Sequence, residues 1–461
     1  MTNKVITETA PDNNKENKPT IPAYFLSITV KNVRCFGPQQ TLNLSNSQNR
    51  PAQWTIILGD NGFGKTTLLR SIVALTPKSV ISKVYKEHHE FILPKAFPDS
   101  ATKGDFFKLH RYGAERSSLS ARFFSGIRLE ERKAQGNVSD FSVDIYPDGG
   151  AGASHLSPPH FKDLLCFAYG ASRRMGETSL SERTDDDAFA SLFSDDVELM
   201  NAEEWLLQAD YAAHAANKAS VRKQAGNRRD EIKDVLVHLL PEVTDIRFAQ
   251  LTEKQQKPGV EVETPYGWVS LRELSLGYKT LIAWMVDFAS RMFDRYPDSP
   301  NPLAEPAVVL VDEIDLHLHP KWQRTLMGYL SERFPNTQFI ATAHSPLVVQ
   351  AAQDANIVLL RREGDHVVIE NNVEAVRNWR VDQILTSDLF GLESARPPET
   401  DKLMAERTKI LSKSRLTKKD RERLKKLEEE IGSLPTGETP EEIEAMDVIR
   451  RAAERLKAEG Y

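Results

Sequence analysis

The chain has 461 residues, 40% of them apolar and 27% charged, with a formal net charge of −6. That length calls for one large elaborated domain or two or three smaller ones, and the charge excludes a uniformly basic nucleic-acid coat while leaving room for local basic patches. Two cysteines, Cys35 and Cys166, exclude a disulfide framework; the longest apolar run, LIAWMVDFA at 281–289, contains Asp287 and falls well short of the ~20 residues a membrane-spanning helix needs.

Residues 1–22 are polar and lack the apolar core of a signal peptide, so they read as a disordered tail on a soluble, cytoplasmic protein. Order is expected from Ala23, where YFLSITVKNVRCFG alternates as a half-buried strand does, followed by a short strand, TLNL. WTIILGD at 54–60 is apolar until it meets glycine, the pattern of a buried strand entering a turn, and TTLLRSIVAL at 66–75 has helical spacing. Residues 85–160 mix aromatic, basic and Gly-rich pieces, PDGGAGAS among them, and their pattern assigns no fold. HFKDLLCFAYGASRR at 160–174 predicts another buried strand ending in a loop. From about 195 to 240 the spacing predicts two or three helices.

Strand-like VTDIRFAQ and VEVETPYGWVSL then lead into a helix, GYKTLIAWMVDFASRMF. Two buried strands follow, AVVLVDE and QFIATAH, separated by the helix KWQRTLMGYLSERF. In that helix Trp322, Leu326, Tyr329, Leu330 and Arg333 share one stripe. NIVLLRREGDHVVIEN predicts a hairpin. Thr417 and Asp420 form a capping-box-like start for KKDRERLKKLEEEI, with Gly432 as its stop, and Thr439-Pro440 opens a second helix to about Lys457. The two are expected to form a charged hairpin. Between Lys409 and Lys426 nine Lys/Arg face two acids, which fits either a phosphate-tracking surface or a solvated face; Leu416, Leu424, Leu427 and Ile431 are spaced to dock another helix.

The chemistry is concentrated in GDNGFGKT at 59–66, a G-x-x-x-x-G-K-[ST] loop placed after a buried strand and before a helix. Gly59, Asn61, Gly62 and Gly64 let successive N–H groups face phosphates. Lys65 reaches the β and γ phosphates, Thr66 binds Mg²⁺, and Thr67 continues the helix N-terminus. Such a loop needs an acidic partner at a neighbouring strand end, and AVVLVDE supplies it: Asp312 for Mg²⁺ and Glu313 to orient or deprotonate the attacking water. His344 in TAHSP ends the next strand, where a γ-phosphate sensor would sit. In LSLGY at 274–278, Ser275 and Gly277 stand at a helix N-terminus and can donate to a phosphate. ATP and Mg²⁺ are therefore the expected ligands. The run AVVLVDEIDLHLHP taken alone resembles a metal site, with Asp312, Asp315, His317 and His319 as ligands; with a phosphate loop upstream, Mg²⁺ carried by ATP is the expected metal.

The order of these motifs over roughly residues 24–360 resembles the SMC/RecF-like (OLD-related) ABC-type ATPases. The resemblance implies an α/β fold, an ABC-type P-loop ATPase head over residues 23–375. It would carry an insertion at about 85–160, a helical insertion at about 181–245, and a C-terminal helical region, 376–461, for partner binding or self-association. It places Arg34 and Cys35 near adenine and phosphates. LSLGY is similar to that group's LSGGQ signature, with Leu276 and Tyr278 departing from it. The resemblance further implies a head-to-tail homodimer or larger oligomer in which one subunit's Ser275 and Gly277 close the other's phosphate site. AYGASR at 168–173 takes the place of a Q-loop, with Arg173 as a candidate phosphate or interface contact. His317 and His319 become loop residues facing the second subunit.

LHLH stands where transporter ATPases carry SALD, and DEIDLHLHP looks like the RecF- and OLD-like ATPases of DNA repair and anti-phage defence. The sequence after residue 345 lacks the downstream DxD that a Toprim nuclease needs, so a nuclease site is not expected in this chain. The tail from 376 to 407 resembles the PtuA ATPase subunits of Septu systems, including retron-associated versions. That resemblance implies a PtuB-like HNH nuclease as partner and DNA or a retron RNA/DNA hybrid as a further contact. The alternative is a RecF-like DNA-repair or DNA-clamping ATPase without a nuclease partner.

Overall fold

A computed structural model describes residues 21–76, 109–131, 135–145, 151–155, 164–177, 188–249, 258–371 and 378–431, with 373 and 376 added and 414 left out. Contacts divide the chain into two units that part between Ile384 and Leu385.

In the first unit six strands form one sheet in the order β14-β13-β3-β12-β11-β7. These are β3 (Trp54–Leu58), β7 (Cys166–Tyr169), β11 (Ala307–Val311), β12 (Thr337–Thr342), β13 (Asn356–Glu363) and β14 (His366–Glu370). The first five run parallel and β14 returns antiparallel, as the hairpin pattern predicts. β3, β7, β11 and β12 are buried throughout, which is why they do not alternate: β7 and β11 are apolar runs, and β3 and β12 are apolar apart from buried polar residues, Thr55 in the first and Thr337, Gln338 and Thr342 in the second. Their register matters for the site. Val311 pairs with both Ala341 and Tyr169, and Thr342 pairs with Ile57, so Gly59, Gly170, Asp312 and Ala343 leave the sheet along one edge.

A second sheet, antiparallel in the order β2-β1-β4-β5-β6, is built from β1 (Ala23–Lys31), β2 (Gln40–Asn43), β4 (Ser117–Ser125), β5 (Asn137–Ile145) and β6 (Ala151–His155). The segment that pattern left without a fold therefore supplies three strands that extend β1. Helix α1 (Lys65–Ala74) lies in the core between the two sheets: Leu68, Leu69, Ile72 and Val73 are buried in one cluster with Tyr24, Phe25, Ile28 and Val30 of β1 and with Val308, Leu310 and Ile340 of the parallel sheet. Gln338, fully buried on β12, ties the sheets together. Its amide accepts from Phe25 N at 2.9 Å and donates to Phe25 O at 2.8 Å, where the β1–β4 register shifts.

The opposite face of the parallel sheet packs on helices. The short α2 (Ala190–Phe193) stays on the α1 side, where Leu192 is buried in the α1 cluster and its carbonyl accepts from Arg70; the helices of the opposite face are, in chain order, α3 (Ala202–Ala215), α4 (Ala219–Leu239), α5 (Leu276–Arg295), α6 (Pro320–Arg333) and α7 (Pro346–Ala351). Phe167 meets Phe288 of α5 edge-on at 5.5 Å, and Phe334 bridges Phe288 and Phe339. The stripe foreseen on α6 is realised: Trp322, Leu326 and Leu330 are buried, Tyr329 donates its hydroxyl to Val235 O of α4, and Arg333 pairs with Asp234. A small sheet, β8 (Ile246–Phe248), β9 (Val260–Thr264) and β10 (Gly267–Ser270), follows α4. This is an α/β architecture in which a mainly parallel sheet brings the phosphate loop and the acidic strand end to one edge.

The second unit contains α9 (Pro398–Leu411) and α10 (Lys418–Ile431); the short helix Val381–Leu385, α8, lies at the boundary. Leu427 and Ile410 are buried between α9 and α10, and Arg423 makes a two-pronged pair with Glu406. α10 pairs with the helix before it, while Gly432 and the helix expected at 439–457, with the hairpin it would form, lie outside the described residues. Leu416, Leu424 and Ile431 are half-buried.

Candidate functional site

The loop 59–64 joins β3 to α1 at the sheet edge. Gly59, Gly62 and Gly64 have φ of 142°, 82° and 86°, values that L side chains rarely adopt. Two of these positions are also crowded. A Cβ on Gly59 would lie 2.9 Å from Leu360, and one on Gly64 would strike the Cys35 thiol and the Phe36 ring. Gly64 caps α1, leaving the N–H groups of Lys65, Thr66 and Thr67 without intrahelical partners. Asn61 and Gly62 are exposed at the tip, and Thr67 is half-buried. Lys65 is 6% exposed; its ammonium folds over the loop and donates to Gly59 O at 2.6 Å and Asp60 O at 3.0 Å. Burial lowers its pKa, opposed by the nearby Asp312, Glu313, Asp60 and Asp315 carboxylates.

Asp312 follows β11 directly and is buried. Its Oδ2 accepts from the Thr66 hydroxyl at 2.6 Å and its Oδ1 from the Thr342 hydroxyl at 2.6 Å. Thr342 Oγ1 in turn accepts from Glu313 N at 2.7 Å. Glu313 has φ 49°, and its carboxylate is half-buried, 3.9 Å from His344 Nε2. His344 N donates to Asp315 Oδ2 at 3.0 Å, and Gln323 of α6 holds Asp315 O, Leu318 O and the Ser345 hydroxyl. The structure therefore brings Lys65, Thr66, Asp312, Glu313 and His344 together at one edge. Thr66 and Asp312 offer a hydroxyl and a carboxylate side by side, the hard oxygen donors that suit Mg²⁺.

Other expected residues are placed differently. Ser275 caps α5 without a side-chain hydrogen bond and is exposed; Gly277 is buried with its Cα against His317 O. Among the described residues neither bonds to the loop at 59–67 of its own chain. Tyr278 donates to Pro241 O at 2.8 Å and sits edge-on to Trp322, a packing role for the signature's departure. Arg34, at φ 46°, is exposed on a tight turn, and the neighbouring Cys35 thiol approaches Phe63 O at 3.7 Å, so this turn leans on the phosphate loop. His317 is exposed; His319 is exposed too and caps α6, its Nδ1 accepting from Lys321 N.

Arg173 is corrected from a surface contact to an interior one. It is 1% exposed, and its guanidinium donates to Gly170 O at 3.1 Å, to Glu313 O at 2.8 Å and to Asp312 O. Burial lowers its pKa to about 10. Tyr169, four residues before Arg173, accepts at its carbonyl from Asp312 N at 2.9 Å and donates its hydroxyl to the buried Asp287 of α5 at 2.9 Å. Sequence reasoning passed over Thr342 altogether. Its signal was a hydroxyl at the last residue of the strand beside AVVLVDE.

The family described as "AAA domain, putative AbiEii toxin, Type IV TA system" matches residues 55–350, from the phosphate-loop strand through α7. The chain belongs to this AAA-domain family. Among curated proteins, the AAA-domain chain is 27% identical over 391 residues, 84% of its length, to Septu protein PtuA of Bacillus mycoides (strain KBAB4), of which it spans 47%. It is 35% identical over 158 residues to the retron Ec83 probable ATPase of Escherichia coli, covering 34% of this chain and 28% of that one. The chain thus spans about half the length, or less, of these relatives. An SMC head solved with the C-winged helix domain of ScpA aligns over 76% of this chain and 98% of its own, at 16% identity and a TM-score of 0.47. In this AAA domain, as the motif order implied, the phosphate loop and the acidic strand end face each other across β12.

Proposed function

We propose that this AAA domain binds ATP and hydrolyses it to ADP and phosphate. The observation that carries the reading is the contact between the Thr66 hydroxyl and Asp312, at the mouth of a glycine-built loop whose lysine is buried. The free N–H groups at the start of α1 receive phosphate oxygens, and Lys65 exchanges the carbonyls of Gly59 and Asp60 for the β and γ phosphates. Thr66 and Asp312 would hold Mg²⁺, which when bound neutralises phosphate charge. Glu313 orients a water for in-line attack and accepts its proton. His344, whose imidazole faces that carboxylate, senses the γ-phosphate.

The exposure of Ser275 at the N-terminus of α5 supports a head-to-tail pair, in which the signature of one copy closes the site of the other. Similarity to Septu PtuA over most of the chain supports a place in anti-phage defence, where the ATP state of a dimer or larger oligomer controls an HNH nuclease of the PtuB kind acting on nucleic acid. DNA or a retron RNA/DNA hybrid is the further contact in that reading.

The test is co-expression with the product of the neighbouring gene, followed by pull-down and a DNA-cleavage assay with and without ATP. Co-purification of an HNH protein with ATP-dependent cleavage is expected. Cleavage by the purified chain alone in Mg²⁺ would overturn the nuclease-in-trans reading. A permease neighbour would overturn the defence reading, and recombination genes alone would favour the RecF-like one.

A further inference from the structure

Every main-chain polar atom of the Asp312–Glu313 pair is fastened by groups outside the phosphate loop and outside the DE motif. Asp312 N donates to Tyr169 O, Asp312 O and Glu313 O accept from the Arg173 guanidinium, and Glu313 N donates to Thr342 Oγ1. This matters because Glu313 has φ 49°, where a residue with a Cβ stays only if its surroundings over-determine it. Arg173 itself stands at φ 34°. A buried guanidinium bonded to three carbonyls is a costly way to fill space, since burying a charge is unfavourable without compensating partners. Its donors converge on the two residues whose side chains are to meet metal and water. We infer that Arg173 and Thr342 are positioning residues for hydrolysis, bracing the Asp312–Glu313 backbone from behind so that the Glu313 carboxylate points to the attacking water.

The inference rests on the reading of Glu313 as the hydrolytic carboxylate. Arg173 and Thr342 touch neither nucleotide nor water in it. The planar fork of Arg173 serves three carbonyls at once, which a lysine's single ammonium does not reproduce. The Thr342 hydroxyl works in both directions, donating to Asp312 Oδ1 and accepting from Glu313 N. A valine there keeps the shape of the strand end and removes both bonds, whereas a serine keeps them.

The experiment compares Thr342→Val, Thr342→Ser, Arg173→Lys and Glu313→Gln in the full chain, reading affinity for a fluorescent ATP analogue, kcat and KM for ATP, and Tm. Thr342→Val and Arg173→Lys are expected to lower kcat about 10- to 100-fold with KM held within about threefold, because a small misplacement of a reacting group acts on the transition state rather than on binding. Thr342→Ser should restore kcat to within about threefold of wild type, and adding Thr342→Val to Glu313→Gln should cause no further loss. Wild-type kcat in Thr342→Val or Arg173→Lys, with Glu313→Gln inactive, would overturn the inference. So would a loss of kcat that merely follows Tm and is not rescued by serine. If Arg173→Lys does not fold, the valine–serine pair at 342 decides. Hydrolysis at the wild-type rate by Glu313→Gln would instead overturn the underlying reading of the site.

Discussion

The Thr66 hydroxyl donates to Asp312 Oδ2 at 2.6 Å, closing a gap of 246 positions in the sequence. Two strand ends make the contact possible: β3 delivers the loop that starts α1, and β11 delivers the aspartate, with β12 between them. The fold itself thus sets the two oxygen groups side by side. Thr66→Ala should therefore weaken Mg²⁺-dependent ATP binding about 10-fold or more and leave Mg²⁺-free binding nearly unchanged, since only the metal-facing hydroxyl is lost. Nucleotide titrations with and without Mg²⁺ check this; equal weakening in both would place the hydroxyl elsewhere.

Glu313→Gln keeps the volume and the backbone bonds to Thr342 and Arg173 while removing the carboxylate proposed as the base. It should retain ATP affinity and lose hydrolysis by about 100-fold or more, in the range expected for a positioned general base. It should also accumulate as an ATP-bound dimer, seen as a doubled mass by light scattering on addition of ATP. A monomer with bound ATP would separate hydrolysis from pairing.

Much of this site was legible because its residue types are dictated by phosphate chemistry. GDNGFGKT and VVLVDE announce themselves through glycine at left-handed positions and carboxylates at a buried strand end. The parallel strands were legible as well, since burial on both faces leaves β11 uniformly apolar and gives β3 and β12 an apolar, non-alternating centre. Three things were not. The strands β4 and β5 place Ser117, Ser125 and Ser139 on buried positions, so their apolar alternation is blurred by serines on the inner face. The inward turn of Arg173 depends on φ 34° and on carbonyls 139 and 140 positions away, which local pattern does not contain. Thr342 belongs to the site only because β12 lies between β3 and β11, a fact of topology.

The proposed head-to-tail pairing predicts complementation. Ser275→Arg places a bulky cation at an exposed position that bonds to no side chain, and Lys65→Ala removes the phosphate-binding ammonium. Each variant should be inactive alone. Mixed at equal amounts they should recover about a quarter of wild-type ATPase, because half the pairs are mixed and each holds one intact composite site. No recovery on mixing would show that each site is completed within its own chain.

Gln338 offers a test of the fold away from the chemistry. Gln338→Leu leaves Phe25 N–H and C=O buried without partners, where each unpaired group costs about 1–3 kcal/mol, so a loss on the order of 2–4 kcal/mol is expected. Urea unfolding should show it as a lower midpoint with little change in slope. Unchanged stability would mean that β1 and β12 are not joined through this amide.

The second unit carries a pH signature of its own. Asp420 Oδ1 accepts from the Lys413 ammonium at 2.6 Å, while Oδ2 accepts from Thr417 N and the Thr417 hydroxyl, the capping box foreseen for α10. These donors favour the charged form and lower its pKa to about 2. A depressed folded value means that the contribution is fully present above the ordinary aspartate value of about 3.9 and disappears as pH falls through the folded one. Hydrogen exchange across 413–431 should accordingly show wild-type protection above that of Asp420→Asn at pH 7 and still at pH 4, the two converging towards pH 2. Convergence already between pH 5 and pH 4 would show that Lys413 and Thr417 do not hold the carboxylate in its charged form.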